Sequence, residues 1–133
     1  MQKIVSQITR TLKRTPEGEA LTWQFQIGEP SQVPLDPHDL RELVGNIVEN
    51  AVKWAKSEVS ITWKDRRLVV ADDGPGVAPE KIRSMTERGV RLDEQVPGTG
   101  LGLSIVQEIC TIYGLSLSIE NRQESGLQVS IGF

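Results

Sequence analysis

Cysteine occurs once in the 133 residues, at Cys110. One cysteine excludes an internal disulfide, and no second Cys or His stands near it at metal-ligand spacing, so neither a disulfide framework nor a zinc site organises the chain. A lone thiol of this kind is expected to be a packing residue. Positive charge is not in excess either: 15 Lys and Arg face 18 Asp and Glu, a formal charge of −3. There is thus no basic field to draw nucleic acid or an anionic membrane surface, and a polyphosphate ligand has to be held by local geometry. No apolar run approaches the roughly 18 residues of a membrane span. The amino terminus has neither the apolar segment nor the cleavage pattern of a secretory signal. Internal repeats and low-complexity stretches are also missing. What remains, with an ordinary 38% apolar content, has the size and composition of one soluble domain.

Gly and Pro divide the chain into elements. Ile4, Val5, Ile8 and Leu12 have helical spacing that stops before the turn-forming Thr15 to Gly18. Leu21 to Ile27 alternates apolar and polar residues and reads as a half-buried strand toward a sheet edge. Asp36 suits an N-cap, Pro37 the first helical position, and Asp39 adds negative charge at the positive end of the dipole. From there Leu40, Leu43, Val44, Ile47, Val48, Ala51 and Ala55 recur at three- and four-residue intervals, a broad apolar face that has to pack on a sheet. Val59 to Trp63 and Leu68 to Ala71 are β-rich runs joined through Lys64 to Arg67, an antiparallel hairpin that ends at Asp72. A long polar, Gly-bearing passage runs to about Gly100, with room for a short helix after Pro79. Loops of that length in compact domains are usually functional lids or disordered. A second amphipathic helix presents Ile105, Val106, Ile109, Ile112 and Tyr113, stops at Gly114, and leads into strands Leu115 to Glu120 and Leu127 to Phe133.

Three stretches carry candidate chemistry. Asn46 and Asn50 are four apart and Lys53 follows three later, so all three share one stripe beside the apolar face. An asparagine amide oxygen is a hard, neutral donor able to complete the shell of a Mg²⁺ held mainly by phosphates, and lysine meets phosphate charge. Alone, the stripe reads as a solvated face. Asp72-Asp73-Gly74-Pro75-Gly76 is, alone, a tight turn. Functionally, its glycines let a flat ring approach the backbone, and one carboxylate can accept from an exocyclic amine. Gly98-Thr99-Gly100-Leu101-Gly102-Leu103 runs into the second helix, where unhindered amides can donate to phosphate oxygens. It is not a P-loop, since no GK[ST] follows, and it lacks the third glycine of GxGxxG.

In this order, and with a long loop between the last two, the asparagine helix, DDGPG and GTGLGL resemble the N, G1 and G2 boxes of the GHKL superfamily of ATPases and kinases. Within it, NIVENAVKW and ERGVRLDEQVPGTGLGLSIV are similar to sensor histidine kinases of the PhoQ type. The resemblance covers nearly the whole chain. It implies an α/β fold, the two-layer Bergerat sandwich, with about five strands in a mixed, mainly antiparallel sheet covered by three helices. Residues 1–133 then form one ATP-binding catalytic domain with a mobile lid at about 83–100. The implied cofactors are ATP and Mg²⁺. Asn50 is the implied metal ligand, with Asn46 and Lys53 near the phosphates and Trp54 packing along the nucleotide. Asp73 reads the adenine amine, Gly76 allows close approach and Val77 lines the pocket. Gly98, Gly100 and Gly102, with Thr99 and Leu101 between them, form the phosphate-side hinge, and Arg91 is a lid arginine that neutralises developing charge. Asn46, Lys53 and Arg91 are the implied catalytic residues.

Two features depart from the pattern: no phenylalanine occurs around Met85, where the family has its F box, and Val96 stands where some lids of this type carry a second arginine. His38-Asp39-Leu40 echoes a phosphoacceptor box but lacks the downstream proline and opens the helix that bears the asparagines, so His38 reads as an exposed imidazole. The phosphoryl acceptor is expected to be a histidine on a separate dimerisation domain of the same kinase, with a response regulator as the further partner. The resemblance also implies a homodimeric full-length protein anchored in the inner membrane, this domain being cytoplasmic without direct membrane or nucleic-acid contact. A stand-alone serine kinase of the anti-sigma type and a non-catalytic nucleotide-sensing module are the rival readings.

Overall fold

The structure is a computed structural model that describes residues 1–28, 33–78, 99–123 and 125–133. The expected helix after Pro79, with Arg91 and Gly98, lies outside the described residues. The elements run α1 (Gln2–Lys13), α2 (Pro16–Glu19), β1 (Thr22–Ile27), α3 (Pro37–Trp54), β2 (Glu58–Lys64), β3 (Arg67–Asp72), α4 (Thr99–Tyr113), β4 (Ser116–Asn121) and β5 (Leu127–Gly132). Among the described residues, no helix is long and apolar enough to cross a membrane.

The strands form one five-stranded sheet in the order β1-β2-β3-β5-β4. β1 and β2 pair in parallel, and the three other pairings are antiparallel. The parallel pair needs a crossover, which α3 supplies. Register puts Val59, Ile61 and Trp63 of β2 opposite Asp72, Val70 and Leu68 of β3, with Val129 and Ile131 of β5 continuing the same rows. These residues are buried, so one face of the sheet carries the core, whereas Ser60, Thr62 and Gln128 alternate with them on the other face and stay half-exposed. β1 is an edge strand, as its alternation implied. The β2–β3 hairpin turns on Asp65 and Arg66, both left-handed at φ 52° and 58°, the geometry of a primed two-residue turn.

α3 begins as its cap residues predict: the Asp36 carboxylate accepts from the His38 amide at 2.8 Å, and Pro37 occupies the first turn. Leu40, Leu43, Val44, Ile47, Val48, Ala51 and also Val52 are buried on the sheet. α1 lays Val5 into the same core and packs on α3. Thr15 to Gly18, expected as a turn, instead begins the single-turn helix α2, capped by the Thr15 hydroxyl accepting from the Gly18 amide at 3.0 Å. In α4 the buried residues are Leu103, Val106, Ile109 and Cys110. Ile112, expected on that face, is 73% exposed, because nine residues on from Leu103 it lies roughly half a turn round the helix. Cys110 packs in the core as expected, and burial pushes its thiol up to about 11.

Candidate nucleotide-binding site

The strand registers bring one end of β2, β3, β4 and β5 together: Val59 sits beside Asp72, Ala71 beside Gln128, and Asn121 beside Leu127. The last turn of α3 reaches the same end, because only Ala55 to Ser57 separate it from β2. Here the carbonyl of Trp54 presses on Gly74 so closely that a Cβ at Gly74 would sit 2.1 Å from it. That contact admits only glycine, and it joins the asparagine helix to the DDGPG turn.

The two aspartates of this turn differ completely. Asp72 follows the parity of Leu68 and Val70, so its side chain lies on the helix-covered face, 2% exposed. Its Oδ1 accepts from the amides of Gly74 at 2.8 Å and Leu127 at 3.4 Å. Its Oδ2 has no hydrogen bond among the described residues. Burial raises the Asp72 pKa above the ordinary 3.8; the two amides oppose this, the charge of Asp73 adds to it, and Arg122 partly offsets it. The next residue points away from that face. Asp73 Oδ1 accepts from the amides of Lys56, Ser57 and Glu58, each at 2.9 Å, and Oδ2 accepts from the Ser57 hydroxyl at 2.5 Å. Burial alone would raise its pKa, but the Ser57 hydroxyl and the three amides outweigh it and hold the carboxyl well below the usual range. Asp73 is the carboxylate that the resemblance assigned to the adenine amine. Its carboxylate is filled by the α3–β2 connection, and the carboxylate with an oxygen that no described residue fills, on the helical side, is Asp72.

A second set of contacts fixes the turn from the β4–β5 side. Asn121 grips Val77 at two points, accepting from its amide at 2.9 Å and donating to its carbonyl at 2.6 Å. Gly76, at φ +75°, passes so close that a Cβ would meet the Asn121 side chain at 2.6 Å. Arg122 donates to the Asp72 carbonyl at 2.9 Å. Asn121 and Arg122 lie 44 and 50 residues from these partners, and nothing in the local sequence marked them.

On α3, Asn46 and Asn50 are half-buried, Lys53 is exposed, and Trp54 is 38% exposed rather than a core residue. Asn46 donates its amide to the Glu42 carbonyl at 2.7 Å, which leaves its side-chain oxygen as an acceptor. The Asn50 amide has no hydrogen bond among the described residues. α4 packs along α3, and its last residue, Tyr113, donates to Asp39 in the first turn of α3 at 2.5 Å. That hydrogen bond raises the Tyr113 phenol pKa. Two helices that pack along each other and meet C-terminus to N-terminus run antiparallel. Eleven residues separate Asp39 from Asn50 and eleven separate Gly102 from Tyr113, about 16 Å of helix in each case, which sets the first turn of α4, Thr99 to Gly102, level with Asn50. His38 is 84% exposed at the far end of α3, 3.8 Å from Glu42.

A family model described as "Histidine kinase-, DNA gyrase B-, and HSP90-like ATPase" (HATPase_c) matches residues 35–133. The chain belongs to this family, as a catalytic domain of the sensor histidine kinase type. It is 47% identical over 104 residues to the sensor protein kinase CarS of Pseudomonas aeruginosa, covering 75% of this chain and 23% of that one. The two-component sensor PhoQ of the same species is 30% identical over 134 residues, covering 98% of this chain and 30% of that one. The chain therefore spans less than a third of either relative. Among solved structures, the mycobacterial sensor histidine kinase MprB superposes with a TM-score of 0.84 at 27% identity, covering 98% of this chain and 91% of that one. ShkA, solved full-length in complex with AMPPNP, gives 0.78 at 26% identity, covering 98% and 29%.

Proposed function

We propose that this domain binds ATP with Mg²⁺ and passes the γ-phosphate to a histidine on a separate helical domain of the same kinase, from which a response regulator takes it. The observation that carries the reading is the Asp72 carboxylate, one oxygen of which has no partner among the described residues, at the point where α3, the DDGPG turn and the β4–β5 hairpin meet. A buried carboxylate acceptor at a glycine-walled turn suits the exocyclic amine of adenine; guanine presents a carbonyl there, and its lone pairs would face the carboxylate. Asp72 thus replaces Asp73 as the adenine reader. Gly76 and Val77, held by Asn121, form the wall beside the ring, and Trp54 offers its half-open face.

The donors on α3 fit Mg²⁺: among the described residues nothing competes for the hard amide oxygen of Asn50, or for that of Asn46 one turn away. Asn50 would hold the metal, with Asn46 and Lys53 toward the phosphates. Bound there, Mg²⁺ supplies charge neutralisation on the phosphoryl oxygens. The first-turn amides of α4, from Thr99 to Gly102, favour phosphate at a helix start. Gly98 and Arg91 complete the site in this reading, as hinge and lid arginine. Asparagines rather than a carboxylate stand at positions 46 and 50 of the stripe, which suits transfer to an imidazole brought by another domain rather than plain hydrolysis. The whole protein in this reading is a homodimer anchored in the inner membrane, with this domain in the cytoplasm.

Mixing the chain with labelled ATP, Mg²⁺ and the histidine-bearing domain of its own kinase tests the reading. Acid-labile label on that domain is expected, with the rate falling at least about 100-fold for Asn50→Ala. Acid-stable label on a serine-bearing domain, or an unchanged rate in Asn50→Ala, contradicts it.

A further inference from the structure

A cleft of about 350 Å³ lies between α1 and the edge strand β1, elements that contribute nothing to the nucleotide site. This volume suits a small molecule. Its floor is apolar: Val5 is buried, Ile27 is partly buried, and the Phe25 ring is 43% exposed although it shares the sheet row of buried Ile61. Phe25 stacks on Trp23 with ring centroids 6.2 Å apart and planes within 7°. The Lys13 ammonium stands 4.9 Å from the Phe25 centroid and 5.9 Å from that of Trp23. Arg10 lines the same rim, and neither cation forms an ion pair among the described residues. α1 contains no acidic residue, although the chain as a whole is acidic.

Thr9 provides the independent sign of a ligand. It lines this cleft, is 4% exposed, and carries the only sealed, unpartnered side-chain polar atom among the described residues. Helical threonines ordinarily turn the hydroxyl to the carbonyl one turn back. Thr11 does so toward Gln7 at 3.1 Å and Thr111 toward Gln107 at 2.9 Å. Thr9 does not, and a buried hydroxyl left unpaired is costly unless something else satisfies it.

We propose that this cleft binds a small aromatic carboxylate, independently of nucleotide. The ring lies on Phe25, the carboxylate pairs with Lys13 and Arg10, and a χ1 turn lets the Thr9 hydroxyl donate to a carboxylate oxygen. No bond is made or broken.

The test is an NMR titration of the intact chain with benzoate, against acetate, which lacks the ring, and benzyl alcohol, which lacks the charge. Benzoate is expected to give saturable shifts confined to the amides around residues 5–13 and 25–27, and the two controls none. Lys13→Ala and the isosteric Thr9→Val are each expected to weaken benzoate about fivefold or more while leaving ATP-Mg²⁺ affinity unchanged, and Asp72→Asn is expected to leave benzoate binding intact. Absence of saturable shifts at tens of millimolar benzoate overturns the proposal. So do equal shifts with acetate, or full benzoate affinity in Thr9→Val.

Discussion

Asp72 and Asp73 show how one peptide unit separates two chemistries. Both are carboxylates in a turn, but burial raises one pKa and four donors lower the other. For Asp73, whose native pKa lies below the unfolded 3.8, stability is fully present above 3.8 and is lost as pH falls toward the native value. For Asp72 the sign reverses: the native state holds the proton more tightly, so ionisation above its raised pKa costs stability and acidification toward 3.8 recovers it. Asp73→Asn is therefore expected to lower stability by about 1–2 kcal/mol at pH 7, since it loses the charge on three amide bonds and the Ser57 hydroxyl bond, and to flatten the acid limb below pH 4. Asp72→Asn keeps an acceptor for Gly74 and Leu127 and is expected to be neutral or slightly stabilising. Urea melts of the two variants at pH 3, 5 and 7 measure both effects, and an equal loss for both at pH 7 contradicts the assignment. The motif DDGPG was legible in the sequence as a candidate site. Which aspartate faces it was not, because that depends on the β2–β3 register that pairs Val59 with Asp72.

Among the elements, α3 was the most legible. Its Asp36-Pro37 start and three- and four-residue apolar spacing are local signals, and local signals decide helices when caps and periodicity agree. α4 was read less well because its apolar arc is about half the helix wide, from Ile112 round to Leu103: which part of it is buried is chosen by packing against α3, and Ile112 falls outside it. The β2–β3 hairpin was placed by its strands, although its turn has neither Asn nor Gly at the two left-handed positions. That mismatch carries a prediction. Arg66→Gly relieves a left-handed cost of about 1–2 kcal/mol against roughly 0.5–1 kcal/mol of added backbone entropy. The melting temperature is then expected to rise by a few degrees, as read by calorimetry; a fall would mean that the Arg66 side chain holds the turn by contacts of its own.

At the scale of the whole molecule, the sheet order is what gathers the site. The order β1-β2-β3-β5-β4 sets the start of β2, the end of β3, the end of β4 and the start of β5 side by side, and the antiparallel α3–α4 pair brings the asparagines level with the glycine-rich first turn. The three motifs could be read from sequence because each is contiguous. Asn121 and Arg122 could not, because their partners are set by this topology alone. The central claim is that the Asp72 carboxylate reads the amine of adenine. Titration calorimetry of the wild type, Asp72→Asn and Asp73→Asn with ATP-Mg²⁺ and with purine riboside triphosphate, which lacks the amine, tests it directly. ATP is expected to lose at least about tenfold in affinity with Asp72→Asn, a loss of about 1.4 kcal/mol, while the amine-free nucleotide binds wild type and Asp72→Asn alike and Asp73→Asn discriminates neither. Equal losses of both nucleotides in Asp72→Asn, or a selective loss of ATP in Asp73→Asn, would contradict it.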